Sequence, residues 1–284
     1  MDEYLRTSDP AVLAAGDCAE KRNAVTGKPC WLPLGSTANR EGRAAGTNAV
    51  LGPTETVPGV AGSLVMRFFD FTVARLGLGE LEARTLGFDV ETSLVVAPDK
   101  PHFMKGSLAI VLKLVADRGT RRLLGIQGVG RGDVARRVDA AAAPLMTGMT
   151  VDQVANLDLL YAPPYAPPMD PLIVAANTLR NKLDGVARGL TPMQYAQWRA
   201  KEKAHCLVDV RSPEEHEELP FHDGYPLPLG ALRPRAGELP RQLPLVLLCK
   251  QGLRGYEGQR ILQGLGFEDV WYLEGGVLGW PYAD

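Results

Sequence analysis

Leu245-Val246-Leu247-Leu248-Cys249-Lys250-Gln251-Gly252-Leu253-Arg254 is the stretch that decides the fold. Four consecutive apolar residues without alternation predict a short strand buried on both faces, as in a parallel sheet. Behind them Gly258, Ile261, Leu262 and Leu265 repeat at helical period, so a helix is expected from Gly255, stopped by Gly266. Strand, loop and helix in that order place Cys249 at a helix N-terminus, among backbone N–H groups that lack helical partners. Such a position favours a thiolate. Lys250 and Arg254 add positive charge, and Gly252 lets the loop curl so that successive N–H groups form an anion-binding nest. A strand-end cysteine alone is more often a small buried hydrophobe. The glycine and arginine at these offsets, with a helix directly behind, favour a reactive thiol.

Outward from this loop the grammar is α/β. Leu207-Val208-Asp209-Val210 and Val270-Trp271-Tyr272-Leu273 are further short apolar runs of buried-strand type. Three ordered motifs together resemble a rhodanese domain over residues 190–284: LVDVRSPEE at 207–215, CKQGLR at 249–254 and LGFEDVWYLEGGVLGW at 265–280. The resemblance implies a parallel-sheet α/β domain with Cys249 as the persulfide carrier, cradled by the loop N–H groups. Gly252, Lys250 and Arg254 would complete the site, and Asp209 and Arg211 match positions that brace the fold. Small sulfane-sulfur donors and thiol acceptors would be its partners. The family's His-Ile-Pro-Gly-Ala segment is replaced here by Phe221-His222-Asp223-Gly224-Tyr225-Pro226-Leu227-Pro228. Phosphatases of the related cell-cycle type place five residues between cysteine and arginine, enough to enclose a phosphate. Four separate Cys249 from Arg254, a loop that fits a sulfur atom better.

Upstream, Tyr161-Ala162-Pro163-Pro164-Tyr165-Ala166-Pro167-Pro168 is excluded from helix and central strand by its four prolines. Asp170 then caps a helix expected over Pro171 to Leu183, with Leu172, Ala175, Ala176, Leu179 and Leu183 on one face and Gly185 and Gly189 beyond its end. Strands are expected at Leu94–Ala97, Ile110–Val115 and Leu123–Val129, and a helix at Val151–Leu160 behind Thr150. Nearer the N-terminus come a strand signal, Ala11–Ala15, and a small-residue helix, Ser36–Val50.

Thr7-Ser8-Asp9-Pro10-Ala11-Val12-Leu13-Ala14-Ala15-Gly16-Asp17 resembles the second FAD-contacting segment of pyridine nucleotide–disulfide oxidoreductases. The likeness implies that Thr7, Gly16 and Asp17 face the cofactor, with Asp17 on the flavin's ribityl–phosphate region. Leu34–Arg43 matches the helix facing the flavin ring. Residues 52–170 resemble that family's C-terminal dimerisation domain, YAPPYAPPMDP at 161–171 being its most recognisable piece. A rhodanese domain behind such a module is the arrangement of the CoA-disulfide or persulfide reductase subgroup. The implied organisation is an FAD-domain remnant at 1–51, an α+β dimerisation domain with antiparallel sheet at 52–170, a linker helix at 171–189 and the rhodanese domain at 190–284. Tyr161 keeps one interface tyrosine and so joins the cofactor-site candidates; Phe103 replaces the other. Asn39 and Met169 stand where CoA-specific members carry His and Lys.

A Rossmann G-x-G-x-x-G, an NADH domain and a redox cysteine near the flavin are missing, since Cys18 and Cys30 resemble no redox cysteine. Gly128-Val129-Gly130-Arg131-Gly132 reads as a strand-end turn. The chain therefore reads as the C-terminal part of a flavoenzyme, binding FAD weakly or not at all. Flavin-dependent activity is expected only when FAD and NADH domains are supplied.

Composition sets the outer bounds. With 284 residues, 45% hydrophobic and 23% charged, the chain is of ordinary globular kind and long enough for two domains. Its 31 basic and 33 acidic residues show no clustered excess for nucleic acid. No apolar run approaches the ~20 residues of a membrane span, and Met1–Arg6 lacks signal-peptide design. The four cysteines are too sparse for a disulfide framework, and neither they nor the four histidines pair at metal-ligand spacing. A cytoplasmic homodimer that transfers sulfur is the expectation. The alternative is a non-catalytic dimerisation or interaction module whose two sites are relics.

Overall fold

The computed structural model describes residues 1–221 and 224–282; His222 and Asp223, part of the unusual 221–228 segment, lie outside the described residues. The N-terminal region holds a short antiparallel pair, β1 (Lys21–Arg22) with β2 (Pro29–Cys30), and helix α1 (Gly35–Leu51). The strand expected over Ala11–Ala15 does not form. Leu13 makes only an isolated bridge to Arg6, and the Asp9 carboxylate takes the Ala11 N–H at 2.9 Å, a local turn that competes with extension.

An antiparallel sheet follows, built from β3 (Leu64–Phe68), β4 (Phe71–Gly77), β5 (Val90–Pro98), β6 (Ala109–Asp117) and β7 (Leu123–Gly130) in the order β3-β4-β7-β6-β5. Helices α2 (Glu80–Thr85), α3 (Val134–Ala140), α4 (Ala142–Met146), α5 (Val151–Val154) and α6 (Pro171–Leu183) accompany it. The 128–132 glycines close β7 and turn the chain into α3. Thr150 caps α5 in a capping box with Gln153, but the helix expected to Leu160 stops at Val154. There the Asn156 amide donates to Asp152 O at 2.7 Å, a side-chain bond that competes with continued helix. Asp170 accepts the Leu172 N–H at 3.0 Å, and Leu172, Ala175, Ala176 and Leu179 are wholly buried against the sheet. Helix α6, expected as a linker, is thus part of this core.

The last unit contains β8 (Gly189–Leu190), α7 (Pro192–Ala200), β9 (Cys206–Asp209), α8 (Pro213–Glu218), β10 (Tyr225–Pro226), α9 (Leu229–Arg235), β11 (Leu245–Leu248), α10 (Leu253–Gly264) and β12 (Val270–Leu273). Its sheet is parallel throughout, in the order β10-β9-β11-β12-β8. Strand β11 lies at the centre. Leu245 and Leu247 pack into a cluster with Leu262 and Tyr272, while Val246 and Leu248 pack with Tyr195 and Phe221 on the other face. Burial on both sides is why the run is continuously apolar. Among the described residues no helix is long and apolar enough to cross a membrane, and no group of ligating side chains could hold a metal ion.

The two sheets are tied together. Lys182 of α6 donates to the Glu274 carboxylate, donates to Thr92 O at 2.6 Å and pairs with Glu91 at 3.2 Å. Glu274 also accepts the N–H of Leu94 on edge strand β5 at 2.8 Å and is completely buried.

Candidate active site

Cys249 sits where β11 ends and is 1% exposed. Its sulfur accepts the Gly252 N–H at 3.0 Å. Gly252 has φ +105°, a left-handed conformation that turns this N–H back toward the thiol and that a side chain would strain. Helix α10 begins at Leu253, two residues earlier than expected, so Arg254 stands in its first turn rather than in the loop. Glycine is required across the way too. A Cβ on Gly276 would lie 2.2 Å from Cys249 O and 2.7 Å from Gln251 N. The strap after β12 holds the loop from that side, as Val277 N–H donates to Cys249 O at 2.9 Å and Leu278 N–H to Lys250 O at 3.1 Å.

The loop cations do not point freely at the sulfur. Arg254 gives one terminal nitrogen to each Glu215 oxygen, both at 2.7 Å, and Lys250 reaches Glu218 at 3.2 Å. The Arg254 guanidinium holds the Glu215 carboxyl below the ordinary carboxylate range. Sequence reasoning did not single out Glu215 and Glu218 as site residues. The detectable signal was the capping box Ser212-x-x-Glu215, which fixes α8 over the loop. Asp209 and Arg211 are buried and doubly bonded, Nε to Oδ1 at 2.9 Å and Nη2 to Oδ2 at 2.6 Å, and Arg211 also donates to Leu219 O at 2.5 Å. They fasten β9 to the end of α8. Cys206 starts β9, and burial pushes its thiol up from the ordinary value.

The flavin-segment residues lie elsewhere. Gly16 and Asp17 share a 3-10 turn whose Gly16 N–H donates to buried Glu41 at 2.8 Å. A Cβ on Gly16 would lie 3.5 Å from the Ala38 Cβ, so this turn packs on the first turn of α1, which has no side-chain cap. Asp17 is exposed. Thr7 closes a local turn with Asp9. Tyr161, 54% exposed, belongs to the proline segment beyond the antiparallel sheet. An exposed carboxylate beside an open helix N-terminus fits one wall of a flavin site.

The two folds and the cysteine loop correspond to two domain families. Residues 65–171 match the pyridine nucleotide-disulphide oxidoreductase dimerisation domain, and residues 191–282 match the rhodanese-like domain. Among curated relatives, the chain is 45% identical over 179 residues to an NAD(P)H coenzyme A polysulfide/persulfide reductase of Pyrococcus horikoshii, covering 63% of this chain and 40% of that protein. The structure of an NAD-dependent persulfide reductase from A. fulgidus superposes with a TM-score of 0.91 at 41% identity, over 99% of this chain and 50% of that one. A Bacillus anthracis structure described as reduced CoADR-RHD gives a TM-score of 0.90 at 29% identity, over 98% and 50%. The chain spans about half the length of these solved relatives.

Proposed function

We propose that this chain carries sulfane sulfur as a Cys249 persulfide, within the C-terminal portion of an FAD- and NAD(P)H-dependent persulfide or disulfide oxidoreductase. The observation that carries this reading is the Gly252 N–H on the Cys249 sulfur at the mouth of α10. Cys249 attacks the sulfane sulfur of a donor, and the donor's remaining group leaves with the electron pair of the broken S–S bond. The Gly252 N–H and the positive end of α10 stabilise the anionic sulfur. A thiol acceptor then removes the outer sulfur in a second step, so the kinetics are ping-pong.

Asp17 and the open N-terminus of α1 would hold part of FAD, which when bound supplies hydride and electron transfer between a nicotinamide and sulfur. Alone they offer one wall, so flavin affinity in this chain is weak. The proposed organisation is an FAD-domain portion at 1–51, a dimerisation domain at 52–170 whose core also takes in α6, and a sulfurtransferase domain at 190–284, in a cytoplasmic homodimer. The exposed β3–β4 hairpin supports the dimer, with Val65 66%, Met66 56%, Phe68 58% and Phe69 81% accessible. An apolar surface of that kind marks an interface.

The test is sulfur transfer from a persulfide donor to cyanide by the purified chain. Wild-type protein should form thiocyanate over many turnovers and Cys249→Ser should form none. Thiocyanate no faster than the uncatalysed background with either protein would favour the relic reading.

A further inference from the structure

The two cations of the cysteine loop are already engaged, both by α8. Glu215 takes Arg254 through two bonds and Glu218 takes Lys250. The same helix carries Glu214 and Glu217 as well, while its His216 turns to Asp209, with Nδ1 2.9 Å from Oδ2. Asp209 in turn is matched by Arg211. Among the described residues, Lys250 and Arg254 are thus each matched by one carboxylate of α8, and these four side chains together carry no net charge. What favours an anion here is the backbone: the Gly252 N–H and the α10 terminus.

We propose that Glu215 and Glu218 are specificity-determining residues that set this site against dianionic sulfane donors and toward donors of low charge. The inference rests on the sulfur-transfer reading above. The two donor types differ in the charge they bring. Thiosulfate reacts as Cys249–S⁻ + S–SO3²⁻ → Cys249–S–S⁻ + SO3²⁻, which gathers three negative charges at the mouth. A protonated persulfide reacts as Cys249–S⁻ + R–S–SH → Cys249–S–SH + R–S⁻, which gathers one. In both, the thiolate forms the new S–S bond, the leaving group keeps the electron pair of the old one, and no external oxidant or reductant takes part. An arginine and a lysine free to face the donor would offset the triple charge. Held by Glu215 and Glu218, they do so far less.

The experiment uses the full chain and compares wild type, Glu215→Gln, Glu218→Gln and the double variant. Glutamine at position 215 preserves the capping box with Ser212, and Glu218 is 65% exposed with Lys250 as its partner, so the fold is retained. The rate of Cys249 persulfidation is read by intact-protein mass with two donors, thiosulfate and the persulfide of 2-mercaptoethanol. Glu215→Gln should raise the ratio of the thiosulfate to the persulfide rate constant about tenfold, and the double variant further. Should Glu215→Gln fold poorly, Glu218→Gln alone should still raise the thiosulfate-to-persulfide ratio about threefold. A ratio unchanged in every variant, with wild type active on the persulfide, overturns the specificity proposal alone. Wild type inert toward both donors overturns the sulfur-transfer reading and this inference with it.

Discussion

At the scale of single residues, the candidate nucleophile Cys249 stands out in the sequence because its signals are local. An apolar strand, a cysteine, a glycine two residues before the arginine and a helix can all be counted along the chain. The salt-bridge partners were not legible, because Glu215 lies 39 positions from Arg254 and meets it only when β9 and β11 pair in register. That contact changes what Arg254 is expected to do. Bound to Glu215, it ties α8 to the cysteine loop and offsets that carboxylate. Arg254→Ala should therefore slow transfer about tenfold while leaving Glu215 unpaired near the sulfur. Adding Glu215→Gln to it should recover part of the loss, which steady-state kinetics on the single and double variants will show. Cys206 makes the opposite case. Burial keeps its thiol protonated, so Cys206→Ala should retain nearly all sulfur transfer by the same assay.

Among the elements, caps located helix starts rather than ends: α5 begins behind Thr150 but stops at Val154, whereas α6 occupies Pro171–Leu183 as Asp170 and the proline at N1 predict. The β3–β4 hairpin escaped, since Leu64–Phe68 is apolar almost throughout and exposed on both faces, so it shows no period of two. The tie between α6, β5 and the strap behind Cys249 was also invisible, because it depends on Lys182, Glu91 and Glu274 meeting across two sheets. Burial pushes the Glu91 carboxyl up, yet Lys182, the Thr92 N–H and Arg118 outweigh it and hold the group below its ordinary value. Burial likewise lowers Lys182, but its two carboxylates outweigh that and raise it. The signs follow directly. Glu91 stabilises the fold above its unfolded value, about 4.3, and loses that contribution as pH falls through its lower folded value. Lys182 contributes fully below about 10.4 and loses its contribution as pH rises through its higher folded value. Thermal melts should thus be level from about pH 6 to 9 and fall at both extremes. Lys182→Met, which leaves Glu274 buried without its cation, should cost about 3–5 kcal/mol and show as a lower midpoint in urea.

For the molecule as a whole, the short continuous apolar runs marked the parallel sheet, whereas the antiparallel sheet before it was expected only from the resemblance of residues 52–170 to a dimerisation domain. The sequence did not convey how the two sheets touch. The exposed apolar hairpin, with Leu160 84% and Tyr165 68% accessible near the proline segment, leaves a surface that a second copy would cover. Light scattering at micromolar concentration should give twice the mass of one chain. Val65→Asp with Phe69→Asp should shift it to one chain without loss of circular-dichroism signal. Added FAD should remain unbound through gel filtration, because Asp17 and α1 furnish a single wall.

Cys249 is proposed to hold the travelling sulfur. The most direct test is intact-protein mass spectrometry after brief incubation with a persulfide donor and removal of the excess. The expected result is a gain of one sulfur atom, mapped to the peptide containing Cys249, lost on cyanide treatment with release of one thiocyanate and absent from Cys249→Ser. A sulfur adduct that persists in Cys249→Ser, or one that maps to Cys206, Cys18 or Cys30 in the wild-type chain, would contradict it.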